Sequence, residues 1–374
     1  MGHSNGHSGH PASGGHSSPV LSWNRPAEHD EHPVQPQEQD TGQEVHQEGN
    51  GGSLPHEWDQ VSRLALKHLD RCVSLEPKVL QGDDPDAIHD LRVATRRLQQ
   101  VLDLLYAPPH SGEIRKLCRG LKRCRRSLSE VRNYDVLLER VDAALARKRT
   151  ARREAWEAIR DFLKDSRSAR LEKALRKLAR ANLSAIYVRL KECLPVNGHS
   201  RSEAEPSDHL CTGQNLSVEE FQGRISGGLR KVWDNLEREI SRSRHEPDPA
   251  ALHCARIAAK RARYLIEVLH AFDVQGSKEA LIWLRSLQKH LGRWHDLVVF
   301  EETVIEMIAD PAFLRDHLEI ALAIERLILT NRAMKTKLEK KFLEMTADRM
   351  GFFKIKGWVR RVAASPATLL TAQG

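Results

Sequence analysis

The sequence predicts an all-α protein built from two related helical halves and preceded by a long tail with little to bury. Three observations predict it. After residue 56 the composition turns to Leu, Ala, Arg, Lys and Glu, a helix-forming set, with no stretch of strand-like alternation. Residues 1–56 are instead Gly, Ser, His, Pro, Gln and acid, too poor in apolar side chains to offset the entropy of ordering. Finally, two sequence blocks recur in the same order on either side of a Gly-, Ser-, Pro- and acid-rich segment at 195–215.

The elements follow in chain order. Trp58, Val61, Leu64, Ala65, Leu69 and Val73 recur at the helix period and open the ordered region. Further helices are expected at about 85–106, 112–127, 133–164, 168–193, 217–243, 249–271, 276–291, 297–309 and 313–347. The segment 195–215 reads as a linker between a half at 57–194 and a half at 216–350. Residues 351–374 follow as a C-terminal tail, whose start, GFFKIKGWVRR, is expected to pack as a helix end on its own bundle.

The 374 residues carry a net charge of +8 that is unevenly spread. The tail at 1–56 has one cation, Arg25, against seven acids, so the remainder carries +14. An anionic partner is therefore expected. No run of 18 apolar residues is present and the N-terminus lacks a cationic-then-apolar leader, so the expected setting is the cytoplasm. The six cysteines include no C-x-x-C pair and read as reduced thiols. Eight histidines lie in the tail at irregular spacing without a cysteine, which suits a tail better than a metal site. The acidic tail has the sign to lie over a basic surface.

The repeated blocks carry the chemistry. Asp84-Pro85-x3-His89-x2-Arg92-x3-Arg96-Arg97 is matched 164 residues later by Asp248-Pro249-x3-His253-x2-Arg256-x3-Lys260-Arg261. LSEVRNYDV from Leu128 is matched 163 residues later by LGRWHDLVV from Leu291. Two blocks in the same order point to an internal duplication. Asp-Pro is a helix start, with aspartate at the N-cap and proline at the first turn. On a helical projection His89, Arg92 and Arg96 share one stripe, opposite Leu91, Ala94, Leu98, Val101, Leu102 and Leu105. His253, Arg256, Lys260 and Arg263 do the same opposite Ala255, Ala258, Ala262, Leu265, Ile266 and Leu269. One stripe of each helix is thus expected to pack and the other to meet a ligand.

The next helix adds Arg115, Arg119, Lys122 and Arg126 at i, i+4, i+7 and i+11. Their equivalents at the offset of 163 are Lys278, Ile282, Arg285 and Lys289, three of them cationic. Like charges at i+4 cost a few tenths of a kcal/mol, so stability does not account for such stripes and a bridging anion does. Arg grips phosphate oxygens with a planar fork and Lys as a point charge. No nucleotide-cradling glycine motif is present, and aromatic side chains rarely interrupt the stripes, as base stacking would require. The stripes suit a ligand that is phosphate without base. No cofactor, metal or catalysis is expected. Asp90, Glu130 and Asp296 are the carboxylates near the stripes, and a metal-dependent phosphatase would have to be built on them. Non-specific nucleic-acid binding through the same charge stays open.

IHDLRVATRRL and LHCARIAAKRARYLIEVL, each followed by an L-[SG]-x-x-[RH]-[ND]-x-x-V block, resemble the conserved histidine α-helical domain family, CHAD, over about residues 57–350. The resemblance implies two pseudo-symmetric helical bundles around a basic central channel. It also implies binding of inorganic polyphosphate and, in bacteria, association with polyphosphate granules and the proteins there. Carried over by motif position, it implicates His89, Arg92, Arg96, Arg97, His253, Arg256, Lys260 and Arg261, then Lys122 and Arg126 with Arg285 and Lys289. The chain departs from the family pattern at Ser129, where glycine is usual, and at Arg132-Asn133 and His295-Asp296, where the pair is Arg-Asp. The E-x-E-x-K signature of the triphosphatase domain found in some members is absent.

Overall fold

The computed structural model describes residues 56–82, 84–106, 110, 112–147, 150–194, 218–246 and 248–364. The predicted N-terminal tail and the linker at 195–215 lie outside the described residues. Within them the chain runs α1 (His56–Gln81), α2 (Pro85–Leu105), α3 (Gly112–Ser127), α4 (Ser129–Leu145), α5 (Arg153–Ala181), α6 (Leu183–Cys193), α7 (Val218–His245), α8 (Pro249–Ala271), α9 (Ser277–Ile308), α10 (Pro311–Asp316), α11 (Leu318–Ala347), a π-helical turn (Arg349–Phe353) and α12 (Lys354–Ala364). No strand occurs among the described residues.

The Asp-Pro starts behave as their chemistry dictates. Asp84 accepts from the amides of Asp86 and Ala87, and Asp248 from that of Ala251, each satisfying orphan donors of the first turn. Several boundaries differ from expectation. The helix expected at 133–164 is two, because α4 ends at Leu145 and Arg152, just before α5, takes a left-handed conformation, φ 58°. The helices expected at 276–291 and 297–309 are one continuous α9, since the Gly-Arg-Trp-His stretch between them has neither proline nor a cap. Asn182, at φ 46°, ends α5 and caps α6 through the amide of Ala185, a breaker hidden inside an otherwise periodic run.

α1 packs on α2, α7 on α8, and α8 on α9. The long helices α4, α5, α9 and α11 pack beyond them. Two apolar clusters result. The larger draws on α1, α2, α3, the start of α4, the later part of α5, α6, α7, α8, the first half of α9, Phe342 of α11, Phe352 and α12, with Leu91, Leu98, Leu102, Trp233, Ala259 and Trp294 in its interior. The smaller joins Tyr134, Leu137 and Val141 of α4 to Ile159, Phe300 and Ile324 of α5, α9 and α11. The 351–361 segment packs on this body: Ile355, Trp358 and Val359 of α12 are buried, and Trp358 donates to the Gln275 carbonyl at 2.7 Å.

The cysteines depart from expectation at one place. Cys72, Cys118, Cys124 and Cys254 are free thiols, but Cys193 is disulfide-bonded.

Gly276 and Gly292 differ in what they tolerate. Gly276 has φ +84° and a Cβ there would stand 2.5 Å from Trp358 Nε1, whereas a Cβ at Gly292, inside α9, meets nothing within 4 Å. In urea unfolding Gly276→Ala should cost about 1–3 kcal/mol, and Gly292→Ala should gain up to about 1 kcal/mol from helix propensity.

Candidate functional site

The basic stripes of α2 and α8 turn inward. His89, Arg92 and Arg96 are buried on α2, and Arg256, Lys260 and Arg263 on α8; Arg92 and Arg256 are each only 1% exposed. One stripe of each helix packs as expected, and the stripe expected to meet a ligand lies in the interior too. Both stripes are covered, because α2 and α8 also meet each other and α2 meets α4. Their cationic faces therefore end inside the protein.

Cross-contacts tie the two halves there. Arg96 Nη1 donates to the Tyr264 hydroxyl at 2.6 Å, and the Arg96 and Arg263 guanidiniums lie 5.5 and 4.8 Å from the centre of the Tyr264 ring. Glu267 gathers three cations: Arg97 at 3.5 Å, Arg263 at 3.5 Å and Arg285 at 3.8 Å. Ser129 accepts from Arg92 at 3.4 Å and donates to the Arg125 carbonyl. The variable pair in the second block is buried too. Arg132 meets Glu139 at 3.1 Å, and the His295 ring lies 5.2 Å from that of His253.

The remaining predicted residues lie further out. His253 is half-buried and Arg97 borders a cavity of about 230 Å³ lined also by His68, Tyr264, Glu267, His270 and Arg285. Arg261, Arg285 and Lys289 are exposed, as are Arg119, Lys122 and Arg126 on α3. Among the described residues Lys122, Arg126, Arg261 and Lys289 make no ion pair, and Arg119 donates to the carbonyl of Arg115 in its own helix. A larger cavity, about 400 Å³, between the start of α5 and α11 contains none of the predicted residues.

Taken together, the buried charges are lopsided. Among the described residues Arg92, Arg96, Arg125, Arg132, Arg256, Lys260 and Arg263 are buried cations, and Asp135 and Glu301 are the buried acids. Both acids are engaged elsewhere, Asp135 by Arg167 and Glu301 by Arg332 and Lys335. Burial pushes the Asp135 carboxyl above its usual range despite Arg167. At Glu301 burial pushes the same way, but Lys335 and Arg332 outweigh it and hold the carboxyl low.

Sequence reasoning missed Tyr264, Glu267, Arg125 and Gln288 as members of this interior. Glu267 had a signal: it stands four residues after Arg263 on the same helix. Asp90, expected as a carboxylate beside the stripe, pairs with the half-exposed Arg71.

An all-helical body with a cationic interior shared by two helix pairs is the class of protein that fold and site define. The chain belongs to the CHAD domain family, whose model matches residues 63–304. The fold is similar to the crystal structure of the CHAD domain from the plant Ricinus communis, with a TM-score of 0.58 and 22% identity over 79% of this chain and 91% of that one. No curated protein matches the sequence. Among the described residues no helix is long and apolar enough to cross a membrane.

His68 supplies a pH test of this region. Burial first, then the charges of Arg97 and Lys67, hold its pKa down to about 4. In the unfolded chain it would titrate near the ordinary histidine value of 6.5. Between those values the unfolded state binds more protons, so stability should rise with pH from about 4 to about 6.5. His68→Gln should flatten that part of the urea-midpoint profile.

Proposed function

We propose that this protein is a non-catalytic binder of inorganic polyphosphate, and that the two repeated blocks form the halves of one binding interior. The observation that carries this reading is the burial of His89, Arg92, Arg96, Arg256, Lys260 and Arg263 in the region where α2 meets α8. Taking a cation out of water costs several kcal/mol even after relaxation, so cationic side chains gathered from both repeated blocks into one interior mark a place that favours an anion. Glu267 marks how the interior receives an anion, with three guanidiniums around one carboxylate.

Phosphate chains fit the donor set. Guanidiniums fork onto pairs of phosphate oxygens, and successive phosphates repeat the same acceptor along a line. Tyr264 already lies against Arg96 and Arg263, so it offers bases no free stacking face. The exposed Arg261, Arg285 and Lys289 lead from the surface toward this interior. Arg119, Lys122 and Arg126 add a separate outer face that a long polymer reaches simultaneously, raising avidity. Of the carboxylates near the stripes, Asp90 pairs with Arg71 and Glu130 lies 3.8 Å from Arg170, which favours binding over hydrolysis. In a cell that stores polyphosphate in granules, such a binder belongs on them.

Calorimetric titration of the full chain with long-chain polyphosphate, in the presence of competing RNA, tests this reading. Affinity should fall steeply with salt through counterion release. Lys260→Met keeps volume but removes a buried charge, and should weaken binding about tenfold, ~1.4 kcal/mol, with helicity unchanged. Arg326→Ala, at the larger cavity, should bind as the native chain does. Equal affinity in Lys260→Met removes the residue assignment. RNA displacing polyphosphate at equal phosphate concentration establishes a nucleic-acid binder in its place, and phosphate release with Mg²⁺ a phosphatase.

A further inference from the structure

At the α2–α3 corner of the N-terminal half, three unlike metal-ligating side chains converge. Asp103 stands in the last turn of α2, His110 in the connection and Cys118 on α3, and one ligand atom from each lies within 4.8 Å of the others. His110 Nε2 is 2.9 Å from Asp103 Oδ1. His110 Nδ1 is buried and has no hydrogen-bond partner among the described residues. Cys118 is a buried free thiol.

From this convergence we propose that Asp103, His110 and Cys118 form a zinc-binding site that pins α2 to α3. One thiolate, one imidazole and one carboxylate make a donor set that suits Zn²⁺ and not Mg²⁺ or Ca²⁺. Ligand atoms around a tetrahedral Zn²⁺ are roughly 3.2–3.8 Å apart, as bond lengths of about 2.0–2.3 Å require. Small side-chain rotations close the corner to that size. Three protein ligands leave a fourth position for water. Binding releases the Cys118 thiol proton to solvent and needs the imidazole neutral, so affinity falls as pH falls.

The repeat in the sequence supplies an independent comparison. At its offsets of 164 and 163, Asp103 corresponds to Glu267, His110 to Val274 and Cys118 to Leu281. Val274 and Leu281 are buried, so the C-terminal half puts hydrocarbon where this corner has its imidazole and thiol. Packing alone therefore does not require a histidine and a cysteine there. No metal is expected from the sequence because the ligands are seven and eight residues apart, without a recurring Cys or His pair.

Cobalt substitution of the full chain, after removal of metal by chelator, tests the site. A near-ultraviolet thiolate–Co²⁺ band should saturate at one equivalent and disappear on adding Zn²⁺. It should be absent in Cys118→Ser, strongly reduced in His110→Ala and kept in Cys124→Ser. Zinc affinity, read by chelator competition, should fall at least tenfold in both site variants. The histidines of residues 1–56 bring no thiolate, so metal held there gives no such band. No band in the native chain, or a band that survives Cys118→Ser, overturns the site. Should Cys118→Ser fail to fold, the native titration and His110→Ala still decide, with helicity as the folding check. Each outcome is read without polyphosphate and is independent of that binding reading.

Discussion

A guanidinium taken into a protein interior keeps its charge at every pH the protein meets, so the interior must be arranged around it. Arg92 and Arg256 set that constraint here, each almost wholly inaccessible near the start of a central helix. Unlike a buried carboxyl or lysine, neither can neutralise itself by a proton change. Their long apolar stems let the basic stripes of α2 and α8 be enclosed, while their heads collect in a polar zone. The Tyr264 hydroxyl, Ser129, Glu267 and Glu139 are placed around that zone, and they explain why the second sequence block lies next to the first in space.

The apolar clusters flank this zone. On α4 the larger cluster ends at Val131 and the smaller begins at Tyr134, with Arg132 between; on α9 it ends at Trp294 and the smaller begins at Phe300, with His295 between. Hydrocarbon on either side keeps water from entering freely and lowers the local dielectric. There each charge acts more strongly than it would on the surface. The exposed cations of α3 and the first half of α9 work in water and are screened by salt. Buried and outer charges thus have different tasks, which their shared helical periodicity does not reveal.

The helix content and the Asp-Pro starts were legible because period and capping are local properties. The grouping of His89, Arg92 and Arg96 with one another was legible for the same reason. Whether a stripe faces solvent depends on which other helix covers it, and that is a long-range fact. The projection of α2 therefore distinguished two faces correctly, but not that both are covered. The break at 146–152 was missed because Arg152 adopts its left-handed backbone without a glycine to announce it. Glu267 was missed for a different reason: its role is defined by Arg97 and Arg285, which come from two other helices. The Asp103, His110 and Cys118 corner left no pattern in the sequence because three elements of structure must fold to make it.

The 32 residues of α9 run through both apolar clusters, and at 1.5 Å per residue such a helix is about 48 Å long. It carries Arg285 and Lys289 toward one end, His295 in the middle and Phe300, Val304 and Met307 toward the other. An unbroken helix of this kind is a stiff rod, so its ends turn and shift together. Any adjustment that draws Arg285 away from Glu267 is levered through the rod to the packing against α5 and α11, at the opposite end of the molecule.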